Sequence, residues 1–315
     1  MSRPVFCFLI LLFLNTGAGN EFTQATTRGE WLARQVEDRD TGRDARTSIR
    51  MRLFDRQGRA RQRVLDMISM RGGAGRPVPG DRTLISFAYP NDIKGTAFLV
   101  WESPTGDDER FLYLPSLGRV RRIAGSEAQE SFVGSDFTYE DIGGREFEDY
   151  TYTMLAEDAT WKATDGSTHP AYRLESRRRS GNPRFPRVVS LVRKDSFVVV
   201  HAEIFDRRDE IQKTFDVLRL EKTDGYWTAL EMRMTDARER TRTELVIEKI
   251  EYDVGLTPDD FSRRELERGG RLRAEGALRG GGPVSHALVP FSLAPDPHPS
   301  RADLPELAIS LARGK

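Results

Sequence analysis

One local pattern repeats from residue 47 to residue 252, and it restricts the possible folds more than any other feature. Strand-length runs of apolar or alternating residues each end in a turn rich in glycine, proline, asparagine or aspartate. In the clearest run, 47–55, Ile49, Met51 and Leu53 alternate with polar residues, as in a strand with one buried face. Further runs span 62–70, 83–89, 95–101, 109–114, 119–124, 150–155, 171–176, 188–193, 197–205, 215–220, 227–234 and 244–252. Such a series predicts one continuous antiparallel sheet, and so a mainly β fold.

Few helical stretches are available to cover the apolar face of this sheet. Residues 26–39 form an amphipathic pattern with Trp31, Leu32 and Val36 on one face, and Thr27 is placed to cap its start. Residues 135–142 and 257–261 predict a second and a third short helical turn. If these elements cover the sheet incompletely, an apolar hollow remains that an acyl chain can occupy.

The stretch 111–144 holds more aromatic and charged residues than a turn between strands requires. The side-chain oxygens of Ser135 and Asp136 are predicted to cap a short helix, and Thr138 with Asp141 makes a variant of the capping box.

Three motifs in this region carry a family resemblance: GTAFLVW (95–101), RFLYLPSLGRVRRI (110–123) and FVGSDFTYEDI (132–142). They resemble the LolA-like family of periplasmic outer-membrane lipoprotein-sorting proteins, over about residues 46–261. The GSDFTYED core (134–141) is similar to the branch associated with RND-type lipid exporters. The resemblance implies a half-open antiparallel β-barrel, in which one strongly curved sheet holds an acyl-binding cavity under lid helices. It also implies a lipid or lipoprotein acyl chain as ligand and an RND-type inner-membrane exporter as a possible partner.

The first residues have the form of an export signal. Arg3 precedes an apolar run at 5–14, and small residues follow at 16–18, so residues 1–18 are predicted to be a signal peptide that directs the chain to the periplasm. The apolar run is shorter than the roughly 20 residues that span a bilayer, so no stable membrane span is predicted. A lipid-binding domain is then expected at 24–266, and a glycine- and proline-rich disordered tail at 267–315.

Composition and spacing argue against several other functions. The chain has 49 basic and 49 acidic residues, so no bulk charge favours nucleic acid. Its four histidines lack metal-ligand spacing, and neither a metal nor another cofactor is predicted. The carboxylates Asp136, Glu140 and Asp141 are a possible acid–base cluster, but solvated acids around a capped turn are the favoured interpretation. We therefore predict no catalytic residue and no enzyme.

Candidate lipid-binding residues are the apolar ones of the strands and the 132–142 motif. They are Phe87, Phe98, Val100, Leu112, Leu114, Phe132, Phe137 and Tyr139. Three polar candidates accompany them, Arg121, Arg122 and Asp136. The adjacent arginines should point to opposite faces of a strand, so that one faces the inner side. That arginine would contact a lipid phosphate or an internal carboxylate, but an ion pair at the sheet edge with an acid such as Asp136 is the favoured interpretation.

The sequence thus favours a periplasmic carrier that binds lipid or lipoprotein acyl chains and moves them toward the outer membrane. The alternative is a sensor or accessory module of an RND-type exporter, which has the same fold but transports nothing. A hydrolase that acts through the acidic cluster is the third and least favoured hypothesis.

Overall fold

The structure, a computed structural model, describes residues 17–268, with side chains from residue 23 onward. These residues form one antiparallel sheet of thirteen strands, which confirms the predicted architecture. The strands are β1 (Asp44–Phe54), β2 (Ala60–Met70), β3 (Arg82–Tyr89), β4 (Ala97–Trp101), β5 (Glu109–Leu114), β6 (Arg119–Ile123), β7 (Tyr150–Lys162), β8 (Thr168–Arg178), β9 (Arg187–Arg193), β10 (Val199–Phe205), β11 (Ile211–Thr223), β12 (Tyr226–Asp236) and β13 (Thr241–Tyr252).

The order of the strands leaves the sheet open. Neighbouring strands in the chain pair with one another, and the first and last strands, β1 and β13, pair in the middle. The two edges are therefore β6 and β7, which follow one another in sequence but do not pair. The result is a curved, half-open barrel, whose inner side we call the concave face.

β7 shows where a simple alternation fails. The sequence predicts a strand at 150–155, whereas β7 continues to Lys162. Its pairing with β8 shifts register between Met154 and Ala156 and again between Ala156 and Ala159. Each irregularity turns the following side chains to the other face, so the alternating pattern breaks although the strand continues.

Helix α1 (Gly17–Asp38) begins nearer the amino terminus than the predicted helix 26–39. Thr27 is therefore no cap, because it lies inside the helix and its hydroxyl donates a hydrogen bond to the carbonyl of Thr23. The predicted apolar face is confirmed, since Leu32 is fully buried against Tyr152 and Leu174 of β7 and β8. The helix thus covers one flank of the sheet.

A short turn (Pro258–Phe261) and helix α3 (Arg263–Glu267) cover part of the outer, convex face. Phe261 and Leu266 are buried there against a cluster that includes Leu84 and Leu99. The indole Nε1 of Trp101 donates a hydrogen bond to the carbonyl of Phe261 at 2.8 Å. The central residues of β3, β4 and β5 are therefore buried on both faces.

Most of the predicted signal peptide (1–18) and of the predicted tail (267–315) lies outside the described residues. Within the described part of the chain, no helix is long and apolar enough to cross a membrane.

Candidate functional site

Residues 124–149 connect β6 to β7, and we call them the crossing segment. Because these strands form opposite edges of the sheet, their connection has to pass across the open side of the barrel. The segment contains helix α2 (Tyr139–Gly143) and short 3₁₀ turns. It therefore lies where the family resemblance implies a lid.

The eight predicted apolar residues meet in a single cluster, the concave cluster. The sheet contributes Phe87, Phe98, Val100, Leu112 and the partly buried Leu114, and the crossing segment contributes Phe132, Phe137 and Tyr139. Their role in binding lipid stays a prediction.

Phe132 occupies the centre of this contact between segment and sheet. Its ring centroid lies 5.8 Å from that of Phe87, 5.4 Å from Phe98 and 5.6 Å from Tyr139. Such distances are typical of favourable aromatic pairs. The end of α2 approaches the sheet closely, because a Cβ atom on Gly143 would lie only 3.0 Å from Cγ2 of Val100.

The far tip of the segment is fixed to the central strands by polar contacts. The carboxylate of Asp136 accepts hydrogen bonds from the hydroxyls of Thr241 and Thr243, and its backbone N–H donates to Thr243 Oγ1 at 3.0 Å. The ammonium of Lys213 donates to the Asp136 carbonyl, and Arg63 Nη1 donates to the carbonyl of Val133 at 2.6 Å. These contacts tie the tip to β2, β11 and β13.

The predicted capping by Ser135 and Asp136 is wrong. Asp136 contacts β13 instead, and the Ser135 hydroxyl donates to the carbonyl of Phe137. The Thr138–Asp141 capping box is confirmed, since the Asp141 N–H donates to Thr138 Oγ1 at 3.0 Å and the Thr138 N–H donates to Asp141 at 2.9 Å. Thr138, two residues after Asp136, therefore caps α2.

The acidic residues of α2 are fully engaged in ion pairs. Glu140 is buried, accepts from the Tyr150 hydroxyl and binds Arg178 Nη1 at 3.0 Å and 3.2 Å. Burial alone would raise the pKa of Asp141, but Arg145 at 2.9 Å and the Thr138 N–H outweigh it and lower this pKa. A carboxylate with a lowered pKa holds no proton at neutral pH and so cannot act as a general acid. The contacts of Asp141 therefore favour a structural role for the acidic cluster.

Arg110 is a functional candidate that the sequence analysis missed. It is only 2% exposed and binds Asp108 at 2.7 Å, Glu146 at 3.2 Å and the Gly144 carbonyl at 3.2 Å. The last two partners belong to the crossing segment. Arg110 has the same parity along β5 as the inward-facing Leu112, and an arginine at an inward position is the signal that could have found it.

Arg121 and Arg122 do point to opposite faces. Arg121 is the register partner of Leu112 on the concave side, and Arg122 is the partner of Phe111 on the convex side. Both side chains are exposed because β6 is an edge strand. Arg121 pairs with Glu127 rather than Asp136, so the expected edge ion pair exists with a different acid.

Two cavities lined by described residues are small and more polar than apolar. One, of about 150 Å³, lies at the end of α2 and is lined by residues that include Asp81, Arg82 and Glu102. Another, of about 60 Å³, adjoins Arg110 and Arg178. The concave face itself is occupied by the crossing segment. Among residues 17–268 no group of three or more histidine, cysteine or acidic side chains could hold a metal ion.

Glu102, which lines the cavity of about 150 Å³, should make stability depend on pH. Burial, together with Asp81 and Asp108, raises the pKa of Glu102 from 4.5 to about 8. The folded state therefore binds the proton of Glu102 more tightly than the unfolded state does. The stability that protonated Glu102 contributes is complete below pH 4.5 and is lost as the pH rises through 8. We expect Glu102→Gln, which cannot ionise, to remove about 2 kcal/mol of this loss between pH 5 and pH 8. Urea unfolding at both values tests this. Asp107→Asn, at an exposed neighbouring position, is the control. If the unfolding free energy changed equally with pH in both variants, the prediction would be contradicted.

A family model described as an uncharacterized protein matches residues 79–268. No curated protein matches the chain. A DUF1329 family protein from Desulfovibrio piger is 32% identical, with a TM-score of 0.68, over 77% of this chain and 99% of that one. A domain from Vibrio parahaemolyticus described as an outer-membrane lipoprotein-sorting protein is 29% identical, with a TM-score of 0.68, over 77% of this chain and 100% of that one.

A more distant structure supports the fold alone. A LolA superfamily protein from Nitrosomonas europaea is 15% identical, with a TM-score of 0.55, over 76% of this chain and 97% of that one. These matches agree with the open antiparallel sheet. The chain therefore belongs to the LolA-like family and, within it, to the DUF1329 proteins.

Proposed function

We propose that this chain is a periplasmic carrier that binds lipid or lipoprotein acyl chains on the concave face and moves them toward the outer membrane. One observation carries the proposal. Three buried aromatic side chains of a connecting segment fill an open barrel, while the rest of that segment is held by hydrogen bonds and ion pairs. A segment bound in this way can leave without unpairing any strand of the sheet.

The free energy gained by burying an acyl chain is comparable to the free energy lost when the aromatic side chains of the crossing segment leave the concave face. Burial of a sixteen-carbon acyl chain contributes about 12 kcal/mol at 0.8 kcal/mol per methylene. Withdrawal of Phe132, Phe137 and Tyr139 from the cluster costs about 5–9 kcal/mol at 1.5–3 kcal/mol for each side chain. The ligand can therefore offset the loss of these contacts, and part of the polar contacts as well.

Further support comes from the relatives and from the sequence. A relative described as a lipoprotein-sorting domain has the same fold. The predicted signal peptide supports a periplasmic location. Carriage of a lipid through water needs no covalent step, which supports a binding protein rather than an enzyme.

The filled concave face favours one alternative, a sensor or accessory module of an RND-type exporter that transports nothing. Organic extraction of the protein purified from the periplasm, followed by mass spectrometry, distinguishes the two. The carrier should release stoichiometric lipid or acylated peptide, and an accessory module should release none.

A reversible disulfide tests whether the segment has to move. The side chains of Asp136 and Thr243 are in contact, with Oδ2 and Oγ1 2.6 Å apart, so the test places cysteines at these two positions, in a chain in which Cys7, the only cysteine, is changed to serine. A thiol assay first confirms that the disulfide has formed on oxidation. The reduced protein should bind a fluorescent fatty acid and the oxidised protein should not. Equal binding in both states would contradict movement of the segment.

A further inference from the structure

Two large apolar side chains project into water at one corner of the sheet. Tyr89 is 54% exposed at the end of β3, and Leu117 is 55% exposed in the turn between β5 and β6. The loops that carry them touch, because a Cβ atom on Gly95 would lie 3.3 Å from Cγ of Pro115. Tyr89 and Leu117 therefore belong to one continuous surface.

The same surface is cationic. Residues 60–64, 89–95 and 114–119, which we call the basic corner, contain Arg61, Arg63, Lys94 and Arg119 but only one acid, Asp92. Tyr89 is the register partner of Val64, and Gly95 lies against Pro115, so the three stretches are neighbours.

Three of the four cations of the basic corner are free to bind a ligand. Within residues 17–268, Arg61, Lys94 and Arg119 take part in no ion pair, whereas Arg59 and Arg121 close by are paired with acids of this chain. The whole chain is neutral, so the attraction for anions is local.

We propose that the basic corner docks on an anionic phospholipid surface. The phosphates would bind Arg61, Lys94 and Arg119, and Tyr89 and Leu117 would enter the headgroup region. Isolated aromatic and leucine side chains among arginine and lysine are typical of surfaces that lie at a membrane interface. A membrane fits better than a protein partner, because the apolar tips are separate projections and form no continuous groove.

The basic corner adjoins the concave cluster and the crossing segment. Ile93 and Leu114, which lie within it, pack against the concave cluster, and Arg63 binds the crossing segment through the Val133 carbonyl. Docking would thus place one opening of the barrel at the lipid surface. The inference does not depend on the proposed function, because docking can be measured without any acyl ligand.

Vesicle co-sedimentation of the purified protein tests the proposal. We expect binding to vesicles that contain phosphatidylglycerol, weaker binding at high salt, and little binding to phosphatidylcholine alone. Lys94→Glu/Arg119→Glu should reduce the affinity about tenfold or more, since each cation near such a surface contributes about fivefold. Tyr89→Ser/Leu117→Ser should also reduce it about tenfold.

The matched control is Leu155→Ser/Lys162→Glu. It removes one apolar side chain, 44% exposed, and reverses one exposed lysine on the distant edge strand β7. The control should bind vesicles as the parent does, and all variants should keep the parent's melting temperature. Equal binding to neutral and anionic vesicles, or equal losses in control and corner variants, would overturn the proposal. Failure of the parent protein to bind any of the vesicles would also overturn it.

Discussion

Arg178→Met is expected to lower the melting temperature by about 10 °C. The substitution leaves the buried carboxylate of Glu140 without its cation, and breaking a buried pair in this way costs about 3–5 kcal/mol. A domain of this size loses about 2–4 °C for each kcal/mol. The loss should be concentrated in the crossing segment, because Glu140 belongs to α2 and Arg178 to β8. Hydrogen exchange of residues 132–142 should accelerate accordingly.

Arg177→Met is the matched control for this change. Arg177 is the neighbouring residue on β8, but its side chain is 52% exposed and its pair with Glu175 lies at the surface. A surface pair contributes at most about 1 kcal/mol, so this variant should melt within a few degrees of the parent. Equal losses for the two variants would show that the Glu140 pair does not hold the segment.

The strands could be predicted because each is a local pattern. A run such as 109–114 ends in proline and glycine, and the observed β5 has the predicted bounds. The five apolar candidates on strands meet for a related reason, since side chains of one parity along paired strands share a face. Phe98 and Leu112, which are register partners, show this directly.

The contacts of the crossing segment could not be predicted in the same way. Asp136 binds Thr241 and Thr243, more than 100 positions away in the chain, and no local pattern encodes such a partner. Ser135 and Asp136 have the side chains of a helix cap, but contacts of Asp136 with β13 replaced that local option. Arg110 was overlooked because an arginine in an alternating strand ordinarily faces water, whereas three acceptors bind the Nη atoms of Arg110 inside the protein.

Phe132→Ala is expected to open the concave face to an apolar ligand. Phe132 is 1% exposed, and truncation of a buried phenylalanine costs about 3–5 kcal/mol. It belongs to the crossing segment, so the substitution weakens the docking of the segment and leaves the sheet residues Phe87 and Phe98 in place. Each 1.4 kcal/mol lost by the docked state changes its equilibrium tenfold. The affinity for a fluorescent fatty acid should therefore rise about tenfold or more.

Phe111→Ala is the control, because it has the same chemistry on the other face. Phe111 is also 1% exposed, but its ring packs against Trp101 at 5.4 Å within the convex cluster. Both variants should lose similar stability in urea, yet only Phe132→Ala should gain affinity for the fatty acid. A gain in both would mean that general loosening admits the ligand. A gain in neither would mean that the concave face, even when vacated, does not accept an acyl chain, and the carrier proposal would then fail.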